Sequence, residues 1–273
     1  MKFATQGFAC YIIHFTPLEN RRRYLEKTLK NLEKVWVVEK DIQLQEFKWI
    51  KSKKVFGVRS HLIAADLGIN TRSLSRSRRK ARFESYFFRF AHLIGPRFSH
   101  ITYGSLPKIR PLPSAILEVN LMHIKSLRKF LESECAWGLF LEDDCVLGEG
   151  ALPQVKSIVS QNFSKPIWVN LGGGAGLDRT KSDRRLDANG LFRVKPPTTR
   201  CASAYLINRE YALRFESLME KYGLPEWLPI DIIYQIANRK MKARSYWSYP
   251  IRFFQGSSSG EYESNLNVLR TEK

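Results

Sequence analysis

Residues 8–38 constrain the fold more tightly than any other stretch, because they read as a strand, a helix and a second strand in direct succession. "FACYIIHF" (8–15) is a short apolar run rich in aromatic and β-branched residues, as in a strand buried on both faces. "TPLE" comes directly after it. Thr16 suits an N-cap, Pro17 the first helical position, and Glu19 the returning carboxylate of a capping box. Leu18, Leu25, Leu29 and Leu32 then share one face of a helix that runs to about Lys34, and "VWVV" (35–38) is the second strand. A unit of this length predicts a βαβ crossover, hence a parallel sheet and an α/β fold.

The second half of the chain continues in the same idiom. A helix is expected over about 115–133, with Leu121, Ile124, Leu127 and Leu131 facing inward, and it leads into the strand "WGLFL". "PIWVNLGGG" (166–174) reads as a strand entering a glycine-rich loop, and "CASAYLI" (201–207) as a further strand. "NREYALRFESLMEKYG" is a helix with Tyr211, Phe215, Leu218 and Tyr222 on one face and Gly223 as its C-cap. "DIIYQIA" opens another helix, and "ARSYWSYP" (243–250) is read as the last strand, before a Ser/Gly-rich tail. Residues 45–113 fit this pattern least. There "TRSLSRSRRKAR" (71–82) precedes Phe83, Phe87, Phe90 and Ile94 at helical spacing, and Pro96, Pro107, Pro111 and Pro113 break up the remainder of the segment. This stretch reads as a basic, partly helical insertion or lid within a single domain spanning 1–273.

Charge separates the segments sharply. The formal net charge is +19, and residues 51–110 carry 14 Lys or Arg against two acids, Asp66 and Glu84, about +12 in one segment. An excess so localised points to a polyanionic partner, whether anionic lipid, nucleic acid, or a charged glycan or lipid substrate. The four cysteines, Cys10, Cys135, Cys145 and Cys201, form no CxxC pair and no cluster with histidine, which argues against zinc and fits a reducing compartment. No apolar stretch approaches the ~20 residues of a membrane span, and "FACYIIHF" is too short and wrongly flanked for a secretory signal. A soluble or peripheral cytoplasmic protein is expected.

Against this basic background, "WGLFLEDDCVL" (137–147) sets Glu142, Asp143 and Asp144 where a buried strand leaves the core. In α/β sheets ligands bind at that carboxyl edge. Two carboxylates separated by one residue can project to one side and hold a hard divalent cation that also bridges a diphosphate. A solvated loop bearing helix-N-terminal carboxylates is the alternative. Pro17, Leu18, Arg21 and Arg22 sit at a strand-to-helix junction, where orphan N–H groups and the helix dipole favour an anion such as a diphosphate, though a solvated basic face would look the same. Asp231 begins a helical pattern, a position where Asp commonly serves as N-cap. "GGGAG" (172–176) lacks the "GK[ST]" of a phosphate-cradling loop and reads as a turn. His14, His123, Trp227 and Trp247 read as packing residues.

The order of these pieces resembles glycosyltransferase family 25, the lipooligosaccharide and procollagen galactosyltransferase type. "YIIHFTPLENRR" matches the family's opening strand and its loop of paired arginines, with His14 where an Asn is usual. "LMHIKSL" around His123 precedes the strand ending in "LEDD"; "SAYLINREYA" (203–212), "LPID" (228–231) and "PIRFFQGSSSG" (250–260) then appear in the family's order. The resemblance implies a GT-A-like fold, a Rossmann-like nucleotide-binding half merged with an acceptor half. It also implies transfer with inversion from a UDP-sugar, most often UDP-galactose, with Mn²⁺ or Mg²⁺. Asp144 and Glu142 would then be metal ligands, with Glu142 and Asp143 contacting the metal or ribose. Asp231 would be the general base, and Gln255, Ser257 and Ser258 would close over the diphosphate. GT-A enzymes often take a late histidine as a further metal ligand, whereas no histidine follows His123 here. The acceptor implied is a surface glycan on a lipid carrier at the inner face of the membrane. A competing reading from composition alone is a non-catalytic nucleic-acid binder using "RSLSRSRRKAR", for which no recognition motif is present and no nucleic-acid partner is expected.

The basic segment generates a first prediction. Near an anionic surface each Lys or Arg contributes ~1 kcal/mol, falling off within a Debye length, so the protein should pellet with anionic vesicles and be released by salt. Equal pelleting on neutral vesicles, or no change after neutralising Arg76, Arg78, Arg79 and Lys80, would exclude docking through 51–110.

Overall fold

A computed structural model describes residues 7–14, 32, 35–38, 49–50, 114–172, 190–194, 199, 201–225 and 229–256. The helix expected over 18–34 and the basic stretch 45–113 lie outside the described residues, apart from Leu32 and the short strand at 49–50. Seven strands form the main sheet: β1 (Phe8–Ile13), β2 (Val35–Val38), β4 (Trp137–Glu142), β6 (Ile167–Asn170), β7 (Leu191–Arg193), β8 (Ala204–Asn208) and β10 (Arg244–Ser248). Their order is β2-β1-β4-β8-β6-β10-β7. The β1–β2 pairing is parallel, as the opening unit predicts, and so are β1–β4 and β6–β10. β8 runs antiparallel to both its neighbours and β7 antiparallel to β10, so the sheet is mixed rather than purely parallel. Two-stranded ribbons pair β5 (Cys145–Leu147) with β11 (Phe253–Gln255), and β3 (Trp49–Ile50) with β9 (Leu224–Pro225). Because β11 comes after it, β10 is not the last strand.

Successive residues of a strand face opposite sides of a sheet, and the core divides accordingly. On one side Tyr11, Ile13, Phe140, Trp168, Tyr205 and Ile207 meet α1 (Ser114–Glu132), α3 (Arg209–Tyr222) and α4 (Ile230–Met241). On the other, Cys10, Ile12, Leu139, Leu141, Val169 and Leu206 meet α2 (Ala151–Val159). Helix α1 buries Leu121, Ile124 and Leu127 with Leu131 packed alongside, matching its predicted face. Helix α3 is capped by the Asn208 side chain, which accepts from Tyr211 N–H, and ends at Gly223 with φ 76°. Helix α2 is not apparent from the sequence. Its Pro153 looks like a breaker, but in the first turn the backbone N–H has no intrahelical acceptor and proline is tolerated.

The first face is knitted by aromatic rings. Tyr11 stacks on Phe140 with centroids 5.2 Å apart, Phe140 on Tyr205 at 4.9 Å, and Tyr205 on Trp168 at 4.2 Å. This ladder crosses β1, β4, β8 and β6, and α4 lays Tyr234 over its end, 4.5 Å from Trp168 and 5.3 Å from Tyr205. Gly138 makes room for it: a Cβ there would come within 2.7 Å of the Phe140 ring. Trp168→Ala empties the most crowded point of the ladder and should cost about 3–5 kcal/mol, read as a lower urea midpoint at unchanged m-value. A loss below ~1 kcal/mol would show that the ladder is not a principal stabilising element.

Candidate functional site

From β1 the chain turns outward to β2 and later crosses to β4 on the other side of β1. The strand order therefore reverses between β1 and β4, and the carboxyl ends that flank such a reversal form the crevice where open α/β sheets bind ligands. Here Ile13 pairs with Glu142 at the last rung of β1 and β4. The acidic triplet lies at that point: Glu142 closes β4, Asp143 and Asp144 make the turn, and β5 starts at Cys145.

Strand alternation distributes the three carboxylates. Glu142 falls on the same face as Phe140, toward α1, where its Oε1 lies 3.5 Å from Nε2 of His123. Asp143 faces the residue after β1, and its Oδ2 accepts from His14 Nδ1–H at 3.2 Å. Both partners of that contact are buried. The turn is held by backbone bonds on every side: Glu142 N–H to Ser203 C=O at 2.8 Å, Asp143 N–H to Ile13 C=O at 2.9 Å, and Gly256 N–H to Asp144 C=O at 2.8 Å. Asp143 and Asp144 are almost fully enclosed, 8% and 3% exposed. A solvated acidic loop does not describe this arrangement.

Asp231 arrives at the same edge from 89 positions along the chain from Glu142, counted from the sequence. It is not the N-cap of its helix. Pro229 occupies the cap position without a side-chain bond, Asp231 lies in the first turn, and its Oδ1 accepts from Ile232 N–H at 2.9 Å. A polar relay fixes its backbone: Asn170, at the end of β6, donates through Nδ2 to the carbonyls of Thr199 and Cys201, and the Thr199 hydroxyl donates to the Asp231 carbonyl. Although the residue as a whole is partly exposed, burial of the carboxyl pushes its pKa above the ordinary carboxylate value; the Ile232 N–H opposes this and the nearby Glu142 charge adds to it. The two carboxyl groups are therefore electrostatic neighbours. Cys201 is also within reach of both, and its thiol is pushed up to about 12, first by burial and then by Glu142. Its backbone holds φ 99°, a conformation that costs a non-glycine residue strain and that collects at functional sites.

His123 completes the group. It is fully enclosed, and burial lowers its pKa to about 3, so the ring is neutral at physiological pH. Its contact with Glu142 is accordingly dipolar and not an ion pair. Nδ1 lies 2.9 Å from the Tyr205 hydroxyl, which lies 2.9 Å from that of Tyr234. Gln255, on β11, comes within 3.9 Å of the Cys201 thiol through its Oε1 and pairs in register with Cys145.

Glu142, Asp143, Asp144, Asp231 and Gln255 thus lie at one edge, whereas Pro17, Leu18, Arg21, Arg22, Ser257, Ser258 and Trp227 lie outside the described residues. Trp247 packs against Phe192, with centroids 5.8 Å apart. Sequence pattern does not single out Asn170, Thr199 and Cys201, and it gives His14 and His123 as packing residues alone. The one available signal is a polar residue closing an apolar run, as Asn170 closes "IWVN". As a cation site the edge offers the hard oxygens of Glu142 and Asp144. The Cys145 and Cys201 thiols, raised by burial, stay protonated, and among the described residues no group of three or more His, Cys, Asp or Glu is placed to hold a metal. Such a donor set fits a magnesium-like ion completed by substrate phosphates and water, which needs only one or two carboxylates, and does not fit a cage made by protein alone.

Comparison with models of known protein families returned no match, and comparison with characterised proteins returned none. Among the described residues no helix is long and apolar enough to cross a membrane.

The raised pKa of Asp231 makes a stability prediction with a definite sign. A carboxyl whose folded pKa lies above its unfolded one favours the folded state when protonated; that contribution is complete below the unfolded pKa and is lost as pH rises through the folded one. Asp231→Asn, which keeps the acceptor for Ile232 N–H, should therefore raise the Tm at pH 7, with the difference closing as pH falls through the ordinary carboxylate range. A lower Tm at pH 7 would mean that the charge itself stabilises the helix.

Proposed function

We propose that this protein is an inverting glycosyltransferase that moves a sugar, most simply galactose, from a UDP-sugar to a glycan or glycolipid acceptor of the cell surface. The observation that carries this reading is the meeting of two acidic groups with different surroundings at the topological switch point of the sheet. One is the rigid turn Glu142–Asp144 at the end of β4, and the other is Asp231, with its raised pKa, in the first turn of α4. The mixed sheet and its acidic carboxyl edge are compatible with a GT-A-like arrangement, and the family 25 resemblance in "LEDD", "SAYLINREYA" and "LPID" supplies the reaction class.

In this reading Glu142 and Asp144 would hold Mn²⁺ or Mg²⁺ together with the donor diphosphate. When bound, the ion supplies positive charge against the negative charge that develops on the departing diphosphate. The backbone bonds of the acidic turn hold the stems of both residues at the edge of the sheet, which limits the reorganisation the reaction requires. Asp231 takes the proton of the acceptor hydroxyl as that oxygen forms its bond to the anomeric carbon; the bond from that carbon to the diphosphate oxygen breaks, and its electron pair leaves with UDP. A base with a raised pKa is better matched to this task than an ordinary carboxylate. The basic segment 51–110 would keep the enzyme at the anionic inner face of the membrane, where a lipid-linked acceptor is found.

Steady-state transfer and UDP binding on purified variants test the assignment. Asp144→Ala should remain folded and lose transfer. Asp231→Asn should bind the donor normally and lose on the order of 10²–10⁴-fold in kcat. In the wild type kcat should fall as pH drops through the Asp231 pKa, and do so at a higher pH than an ordinary carboxylate would give. Wild-type turnover by a folded Asp144→Ala variant removes the metal-binding role; collapse of donor affinity with preserved kcat in Asp231→Asn makes Asp231 a binding residue.

A further inference from the structure

His123 is an unusual packing residue. A buried imidazole ordinarily satisfies both ring nitrogens, and His123 satisfies one. Nδ1 meets the Tyr205 hydroxyl at 2.9 Å, while Nε2 is completely buried, has no hydrogen-bond partner, and faces Glu142 Oε1 at 3.5 Å. The facing carboxylate favours one tautomer. If the Tyr205 hydroxyl donates to Nδ1, Tyr234 can donate to Tyr205 in turn, and the remaining ring proton sits on Nε2, directed at a carboxylate that can only accept. The opposite tautomer would aim a lone pair at the carboxylate oxygen. The ring is flanked by Tyr205 at 5.7 Å and Tyr234 at 6.2 Å between centroids.

The geometry points to His123 as a positioning residue that directs the Glu142 carboxyl into the donor site through its Nε2–H, with Tyr234 and Tyr205 holding the imidazole in the required tautomer. This rests on the reading of Glu142 as a ligand for the donor-bound cation. At 3.5 Å the contact is longer than a formed hydrogen bond, and the proposal requires it to shorten when donor and cation bind. The arrangement repeats a general device, in which a neighbour of a metal-binding carboxylate fixes its direction, and loss of such a neighbour typically costs on the order of 10–100-fold in affinity or activity.

Two substitutions separate the donor at Nε2 from the tie at Nδ1. In His123→Gln the amide reaches about as far as Nε2 and can still donate to Glu142. In His123→Asn the shorter amide reaches only as far as Nδ1, keeping a partner for Tyr205 while leaving nothing to face Glu142. Titration calorimetry with UDP and Mn²⁺ on the full chain should show His123→Asn weakened about ten-fold or more, His123→Gln close to wild type, and Tyr205→Phe in between, all at wild-type acceptor KM. Equal losses in the Asn and Gln variants, or losses that track Tm, would make His123 structural and overturn the proposal. Nitrogen-15 NMR of the imidazole provides a readout independent of turnover. The proposal requires a proton on Nε2 and a shift of that signal in Glu142→Gln; a proton on Nδ1, or no response, overturns it. Should the NMR criteria be met while the wild type binds no UDP with Mn²⁺, the failure lies with the glycosyltransferase reading, and the donor-directing role falls with it.

Discussion

Four rings stacked across four strands set the position of almost everything else. Tyr11, Phe140, Tyr205 and Trp168 belong to β1, β4, β8 and β6, and their stacking requires those strands to keep one register and one local twist. Each ring buries on the order of 150–250 Å² and adds ~0.5–1.5 kcal/mol per favourable pair, so slipping any strand by one residue would expel its ring to the opposite face. The same ladder carries the polar site. Phe140 is two residues before Glu142, and the Tyr205 hydroxyl is the partner of His123. A ring locked in the core thus transmits its position to the functional edge through a single side-chain step.

β4 embodies the tension this creates. Its residues from Trp137 to Leu141 are buried, and the next three are acids of which two are nearly as enclosed. Burying a carboxylate is costly unless it is paired or hydrogen-bonded. His14 meets part of that cost at Asp143. The coupling of Glu142 to Asp231, and the left-handed backbone of Cys201 beside both, leave part of it in place. Electrostatic repulsion and backbone strain at one edge do nothing for folding. Under the proposed function, a ligand that brings positive charge would offset them.

The fold was legible wherever periodicity was uninterrupted. β1, β2, β4, β6, β8 and β10, and helices α1, α3 and α4, arise from apolar runs, helical spacing and caps that the sequence displays. The elements that escaped have local causes. β3, β5, β7, β9 and β11 are two or three residues long, too short to show a period, and α2 carries its proline inside the first turn. The antiparallel sense of β8 could not be read from "CASAYLI", since a strand buried on both faces looks alike in either direction. At the site, the acidic turn declared itself because charge after an apolar strand conflicts with burial. Asn170 and Thr199 did not, because their role is to bond backbone carbonyls, and any small polar residue looks the same in sequence.

Asp231 shows why the site needed a fold before it could be argued. In sequence it is an acid at the start of a helix, where capping explains it fully. In space the cap position belongs to Pro229, whose fixed φ and extended backbone start the helix unaided. N-capping then no longer accounts for an acid within the first turn. The residue is left as a carboxyl whose helix is anchored through Thr199 and Asn170 to the end of β6, in an environment that disfavours its charge. A residue serving stability alone would gain by becoming Asn there. A carboxyl beside a second acid is what the proposed general base would require at that point.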